Sequence, residues 1–262
     1  MRFNPAWDYP LLATGLIAAG SGYWIESSLA DRSYNPGNYS RNDIPALDRW
    51  ASGYYSKPLS NATDVLVLAL GSVPLVQAGL DFRSHRETFP EVWDGLVIYG
   101  EVVVFATAAS YYSKTLRLHP RPLVFSDDAP LSERRSGDAH SSFFSVHTTG
   151  AFAAATYYGF TFQMQHPESA WIPWVWVGGL GVASGVGAMR ILSGQHFPSD
   201  VLAGAVVGSA IGFGIPWLHR KAPANKTNVE GGPEGAAGSC KGLELVMRLG
   251  PLGLSPALTY RF

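Results

Sequence analysis

With a single cysteine, Cys240, this 262-residue chain has no partner for an internal disulfide, which excludes a disulfide-stapled fold. Charge is scarce too. Asp, Glu, Lys and Arg make up 15% of the chain, against roughly 25% in soluble domains. The formal net charge of −1 provides no basic surface, so a nucleic-acid partner is not expected. No internal repeat of solenoid or propeller length is present. What the chain does have is long apolar runs.

Six such runs, near residues 10–27, 64–80, 92–112, 143–162, 171–189 and 200–218, approach the ~20 residues that cross a bilayer as a helix. Trp7, Trp24, Trp93, Trp171 and Trp217 sit near their ends, as interfacial aromatics do. The mean hydropathy of +0.06 is low for six spans and leaves a soluble bundle with buried helices as the alternative. The predicted architecture is all-α: a six-helix transmembrane bundle with a C-terminal β-hairpin. Residues 1–61 form a first span and polar connection, 62–221 the helical core, and 222–262 a linker and tail. Within the tail, Leu243, Leu245, Met247 and Leu249 alternate, as do Leu258, Tyr260 and Phe262, which is the hairpin signal. The stretch Ile44 to Tyr55 is expected to form a short amphipathic helix on the membrane surface. A cleaved leader ending near Ala30 is the competing reading of the first run, opposed by the balance of Arg2 and Asp8.

Long polar loops alternate with short ones, so crossing helices would collect the polar motifs on one membrane face. Lys and Arg do not fix which face. Nine lie opposite the motifs and, once Lys114, Arg121 and Arg190 are set aside, seven lie with them. Gly204, Gly208 and Gly212 recur every fourth residue, and the same spacing reaches back to Asp200 and His196. On one helix this makes a smooth packing stripe that ends in polar groups.

Three segments carry chemistry. Lys114 is followed after six residues by Arg121-Pro122, where Pro120 and Pro122 stiffen the backbone. Ser145-Val146-His147 opens the fourth run, where a helix N-terminus offers free N–H groups to an anion. Arg190, His196 and Asp200 bridge the fifth and sixth runs. An arginine fork grips two phosphate oxygens, and lysine adds a point charge. His147 suits protonation of a leaving alkoxide. Asp200, four residues beyond His196, is expected to pair with its ring and leave the other nitrogen free to attack phosphorus.

Taken in order, these motifs resemble the phosphatidic acid phosphatase type 2 family, which shares its fold with bacterial acid phosphatases and vanadium haloperoxidases. The resemblance covers residues 60–218. It implies His196 as a nucleophile forming a phosphohistidine, with Asp200 as its partner and His147 as the general acid. Lys114, Arg121, Ser145, the Val146 N–H and Arg190 would hold phosphate, with no metal and no cofactor. The implied partners are the membrane and a phosphorylated lipid, such as phosphatidic acid, phosphatidylglycerol phosphate or a polyprenyl diphosphate. The implied location is a multi-pass protein with its site on the non-cytoplasmic, periplasmic face. A soluble periplasmic acid phosphatase, a vanadate-dependent haloperoxidase and a non-catalytic lipid binder are the alternatives. The chain departs from the family at Val146, where glycine is usual, and at Met189, where serine is usual. Glu101, a carboxylate inside an apolar run, belongs to no motif, and His119 and His140 are expected to be ordinary loop residues.

Overall fold

The computed structural model describes residues 3–30, 32–116, 118–220, 242–250 and 253–261. Proline marks where several helices begin, because its missing N–H and fixed φ suit the first turn. It does so in α2 (Lys57–Arg83), α3 (Phe89–Thr115), α6 (Ile172–Leu192) and α7 (Pro198–Leu218). In α3 the start is reinforced by a capping box, with Glu91 accepting from the Thr88 N–H at 2.8 Å. The set is completed by α1 (Pro5–Ala30), the five-residue α4 (Leu131–Arg135) and α5 (Val146–Gln165).

Seven helices are thus present among the described residues, six of them long. Four of the long ones, α2, α3, α6 and α7, are long and apolar enough to cross a membrane. Their outer faces carry exposed apolar side chains, including Leu68 and Val76 on α2, Trp174 and Val177 on α6, and Val206 and Phe213 on α7. That much exposed apolar surface fits lipid rather than water. The other two fall short of the expected six apolar spans. For α5 the reason is its position: it packs against α2, α3, α6 and α7. A helix so enclosed needs no lipid-facing skin, and its buried residues are mostly Ala and Thr. Helix α1 lies along α3, where Gly15 meets Val104 and Gly22 meets Tyr111.

The glycine stripe seats α7 on α5. The buried residues of α7 are Asp200, Gly204, Gly208, Gly212 and Pro216. A Cβ on Gly208 would lie 2.3 Å from the Thr149 carbonyl oxygen, and one on Gly212 2.3 Å from that of Ala153. The two backbones approach more closely than any side chain allows. The stripe therefore carries Asp200 into the bundle. His196 is not on it, because α7 begins only at Pro198.

The loop from 32 to 56 does not form the expected helix over Ile44 to Tyr55. It folds into short 3₁₀ turns, Arg41–Asp43 and Arg49–Ala51, and crosses Gly53 at φ +95°. It is tied down by polar bonds instead. The Gly53 N–H donates to the Pro122 carbonyl (3.1 Å) and the Ser56 N–H to that of Ser193 (3.2 Å). Asp48 accepts from the backbone and hydroxyl of Ser199, capping the start of α7. In the separate unit Ala222–Phe262, strands β1 (Gly242–Gly250) and β2 (Gly253–Arg261) pair antiparallel, with Leu245 opposite Leu258.

Candidate active site

One end of the bundle gathers the C-termini of α3 and α6 and the N-termini of α5 and α7, and with them all three motifs. Lys114, Arg121 and Arg190 are 7%, 6% and 4% exposed, and burying three cations together is costly unless anions face them. The Arg190 guanidinium donates to Ser60 Oγ (3.2 Å), Thr63 Oγ1 (3.3 Å) and Gln195 Oε1 (3.4 Å). Arg121 donates to the same Gln195 oxygen and to Asp138 Oδ1. Lys114 Nζ stands 3.6 Å from that carboxylate oxygen. Asp138 therefore sits where two of the cations converge. Burial works to raise its pKa, but Arg121 and Lys114 outweigh that and hold it well below the usual carboxylate range. The Nε atoms of both arginines are buried without a hydrogen-bond partner among the described residues, so each guanidinium keeps a spare donor.

His196 lies in the turn between α6 and α7, its N–H bonded to the Arg190 carbonyl (3.2 Å). Burial pushes the ring's pKa down to about 3, against the opposing pull of Asp200. The imidazole is therefore neutral and keeps a lone pair. The direct hydrogen bond to Asp200 expected from the sequence is not formed: His196 Nδ1 is 3.7 Å from Asp200 Oδ2. That oxygen is occupied by the Phe197 N–H (2.9 Å), which starts α7, and by the Ser142 hydroxyl (2.6 Å). The other oxygen lies 3.2 Å from His119 Nε2. Burial alone would lower the His119 pKa, but Asp200 outweighs it and the net shift is upward. Far from being an ordinary loop residue, His119 touches the carboxylate beside the candidate nucleophile. His140 is buried and stacks on Tyr34 with ring centroids 4.6 Å apart.

Ser145 is the N-cap of α5, accepting from the Thr148 N–H (3.3 Å) and hydroxyl (3.0 Å). Its own N–H donates to the Asp200 carbonyl (3.3 Å), which joins the second motif to the third. His147 Nε2 is 2.7 Å from Asp64 Oδ1. Asp64 was not among the sequence-predicted site residues, and neither were Ser60, Thr63, Gln195 or Asp138. For the α2 group a signal existed. Ser60, Thr63 and Asp64 have the i, i+3, i+4 spacing of one helix face at the head of an apolar run.

Val146, the first residue of α5, lines a groove of about 480 Å³ between α2, α3 and α5. Its lining includes Val146 and His147 with Val67, Gly71, Val103 and Ala154. Val146 to Ala154 is eight residues along a helix, a run of about 12 Å. The valine that departs from the family pattern thus lines this groove next to His147.

Buried cations converging beside a neutral histidine, at the ends of apolar helices, define an anion-handling helical bundle of membrane type. The chain belongs to the PAP2 superfamily, whose profile matches residues 95–224 and so spans all three motifs. A lipid A 1-phosphatase from Porphyromonas gingivalis is 40% identical over 85 residues, covering 32% of this chain and 18% of that relative. The match thus takes in less than a fifth of the relative's length. Among solved structures, a transmembrane PAP2-type phosphatidylglycerolphosphate phosphatase from Bacillus subtilis superposes with a TM-score of 0.48 at 21% identity. That superposition covers 84% of this chain and 98% of the other.

Proposed function

We propose that this chain is a membrane phosphatase that removes a phosphate from a phosphorylated lipid without a metal, by way of a phosphohistidine. The observation that carries the reading is that His147 belongs to both places: it lines the apolar groove, and its partner Asp64 follows Thr63, which Arg190 holds. A phosphate seated on Lys114, Arg121 and Arg190 would leave its lipid tail free to lie along the groove. The phosphate would displace Asp138 from the two cations it occupies and take further hydrogen bonds from Ser145 and the Val146 N–H at the head of α5. His196 then attacks phosphorus. The P–N bond forms as the P–O bond to the lipid breaks, and His147 gives its proton to the departing oxygen. In the second half, water attacks the phosphohistidine, returning a proton to His147 and freeing His196 and inorganic phosphate. Asp64 orients His147, and Asp200 stabilises the charge that develops on His196. In this reading α1 and α5 complete six crossing helices, and the site end faces away from the cytoplasm. The P. gingivalis relative, by its name a lipid A phosphatase, supports a lipid substrate.

Phosphate release from a panel of lipid monophosphates and diphosphates in mixed micelles tests the proposal, and release from none of them would refute it. Filling the groove should separate lipids from soluble esters. Gly71→Leu places a side chain on the groove wall, where a Cβ would stand 3.7 Å from the Tyr99 hydroxyl. Excluding two methylenes at ~0.8 kcal/mol each lowers kcat/KM on a long-chain lipid phosphate about tenfold. Hydrolysis of p-nitrophenyl phosphate should stay unchanged, and an equal loss on both substrates would mean that the groove does not hold the lipid tail.

Asp138 gives a second expectation. Asp138→Asn removes a built-in competitor for the cations, so inorganic phosphate should bind about fivefold more tightly, the equivalent of ~1 kcal/mol for half-exposed ion pairs. The phosphate inhibition constant measures this. Weaker binding in the variant would mean that Asp138 positions the cations rather than competing for them.

A further inference from the structure

The opposite end of the bundle holds a second polar cluster that takes no part in phosphate chemistry. Asp8 in the first turn of α1, Glu101 in α3 and His219 just past α7 bring one ligand atom each to within 4.8 Å of one another. Glu101 lies thirteen residues before Lys114 on the same helix, about 20 Å away along its axis. His219 Nε2 is 3.2 Å from Asp8 Oδ1 and 3.7 Å from Glu101 Oε2. Glu101 is 1% exposed, and its Oε1 has no hydrogen-bond partner among the described residues.

The geometry points to a divalent-cation site formed by Asp8, Glu101 and His219. The ring of His219 is oriented by its other nitrogen: Nδ1 lies 2.8 Å from the Ile215 carbonyl, to which it donates. With Nδ1 committed in this way, Nε2 faces two carboxylate oxygens, the donor set of a cation site. The cluster offers two carboxylates and one ring nitrogen. A divalent ion balances both, which matters for carboxylates buried among apolar helices. The spacing fits as well. Tetrahedral Zn²⁺ with ligand bonds of about 2.0–2.2 Å sets its ligand atoms about 3.3 Å apart, close to the two separations from Nε2. Asp8 is already anchored, since its Oδ2 accepts from the Asn4 N–H at 2.7 Å. The carbonyl-rich end of α7 beside His219 adds favourable potential for a cation. One imidazole with two carboxylates suits Zn²⁺ or Mn²⁺ better than a thiolate-seeking metal. Such an ion would clasp α1, which packs mainly on α3, to the end of α7.

The full chain, purified in detergent and stripped with a chelator, is titrated with Zn²⁺, and with Co²⁺ as a spectroscopic probe. We expect one tight equivalent of Zn²⁺, a raised melting temperature and Co²⁺ visible bands of low-symmetry N/O coordination. Glu101→Gln and His219→Gln should each weaken binding about tenfold or more and abolish the melting shift, while the rate of phosphate release is kept. Wild-type protein that takes up no Zn²⁺ and melts alike with and without it overturns the site, whatever the variants do. Equally tight binding in Glu101→Gln would assign the ion elsewhere and overturn it too.

Discussion

Phosphate release should fall by about 10⁴-fold or more when His196 is replaced by alanine, because loss of a nucleophile removes the covalent route entirely. The three cations remain in that variant, so phosphate should still bind. The expected signature is therefore a collapse of kcat with little change in the inhibition constant for inorganic phosphate. Brief mixing with a ³²P-labelled lipid should leave acid-labile, protein-bound label in the wild type and none in His196→Ala. Retained turnover in that variant would end the phosphohistidine mechanism. The neutral ring matters here, since a histidine already protonated by its surroundings could not attack. Burial, which pushes its pKa down to about 3, keeps the lone pair available throughout the ordinary pH range.

Gly194→Ala should give the largest structural effect among conservative changes near the site. Gly194 sits at φ +74°, and a Cβ there would lie 1.8 Å from the Tyr54 carbonyl oxygen. The left-handed conformation costs an alanine about 1–2 kcal/mol, and pushing back a backbone atom adds to that, for a total of roughly 2–4 kcal/mol. The Gly194 carbonyl also accepts from the Leu123 N–H at 2.9 Å, and Gln195 and His196 follow it directly. A shift of about 1 Å at such a point can cost 10²-fold in rate. The variant should lose thermal stability and kcat/KM together. Gly185→Ala is the control: a Cβ at Gly185 in α6 meets nothing within 4 Å, so melting temperature and rate should hold. Equal behaviour of the two variants would contradict the packing described here.

Much of the arrangement was legible in the sequence because apolar periodicity locates helix ends, and the motifs lie at those ends. The four-residue spacing from Asp200 through Gly212 matched the buried face of α7, which Pro216 continues, while its extension back to His196 stops where α7 begins at Pro198. The apolar run did mark α5, but a helix enclosed by four others follows the demands of close packing rather than of lipid. Direct pairing of His196 with Asp200 was expected from their spacing, but the start of α7 takes up the carboxylate oxygen nearest the ring. Asp138, Gln195 and His119 escaped because loops deliver them, and no periodic pattern constrains where a loop side chain lands. Asp64 escaped for another reason: its neighbours look like the polar head of a span until Arg190 and His147 are seen to meet them.

The place of Asp138 has a bearing on selectivity among lipids. Ordinary membrane phospholipids are phosphodiesters and carry one negative charge on phosphorus, the same charge as the carboxylate already seated on Lys114 and Arg121. Swapping one monoanion for another yields no electrostatic gain. A terminal phosphate carries about −1.5 to −2 near neutral pH, so it outcompetes the resident carboxylate where a diester does not. An enzyme immersed in a vast excess of diester headgroups would thereby keep its cations from being saturated by the solvent it lives in.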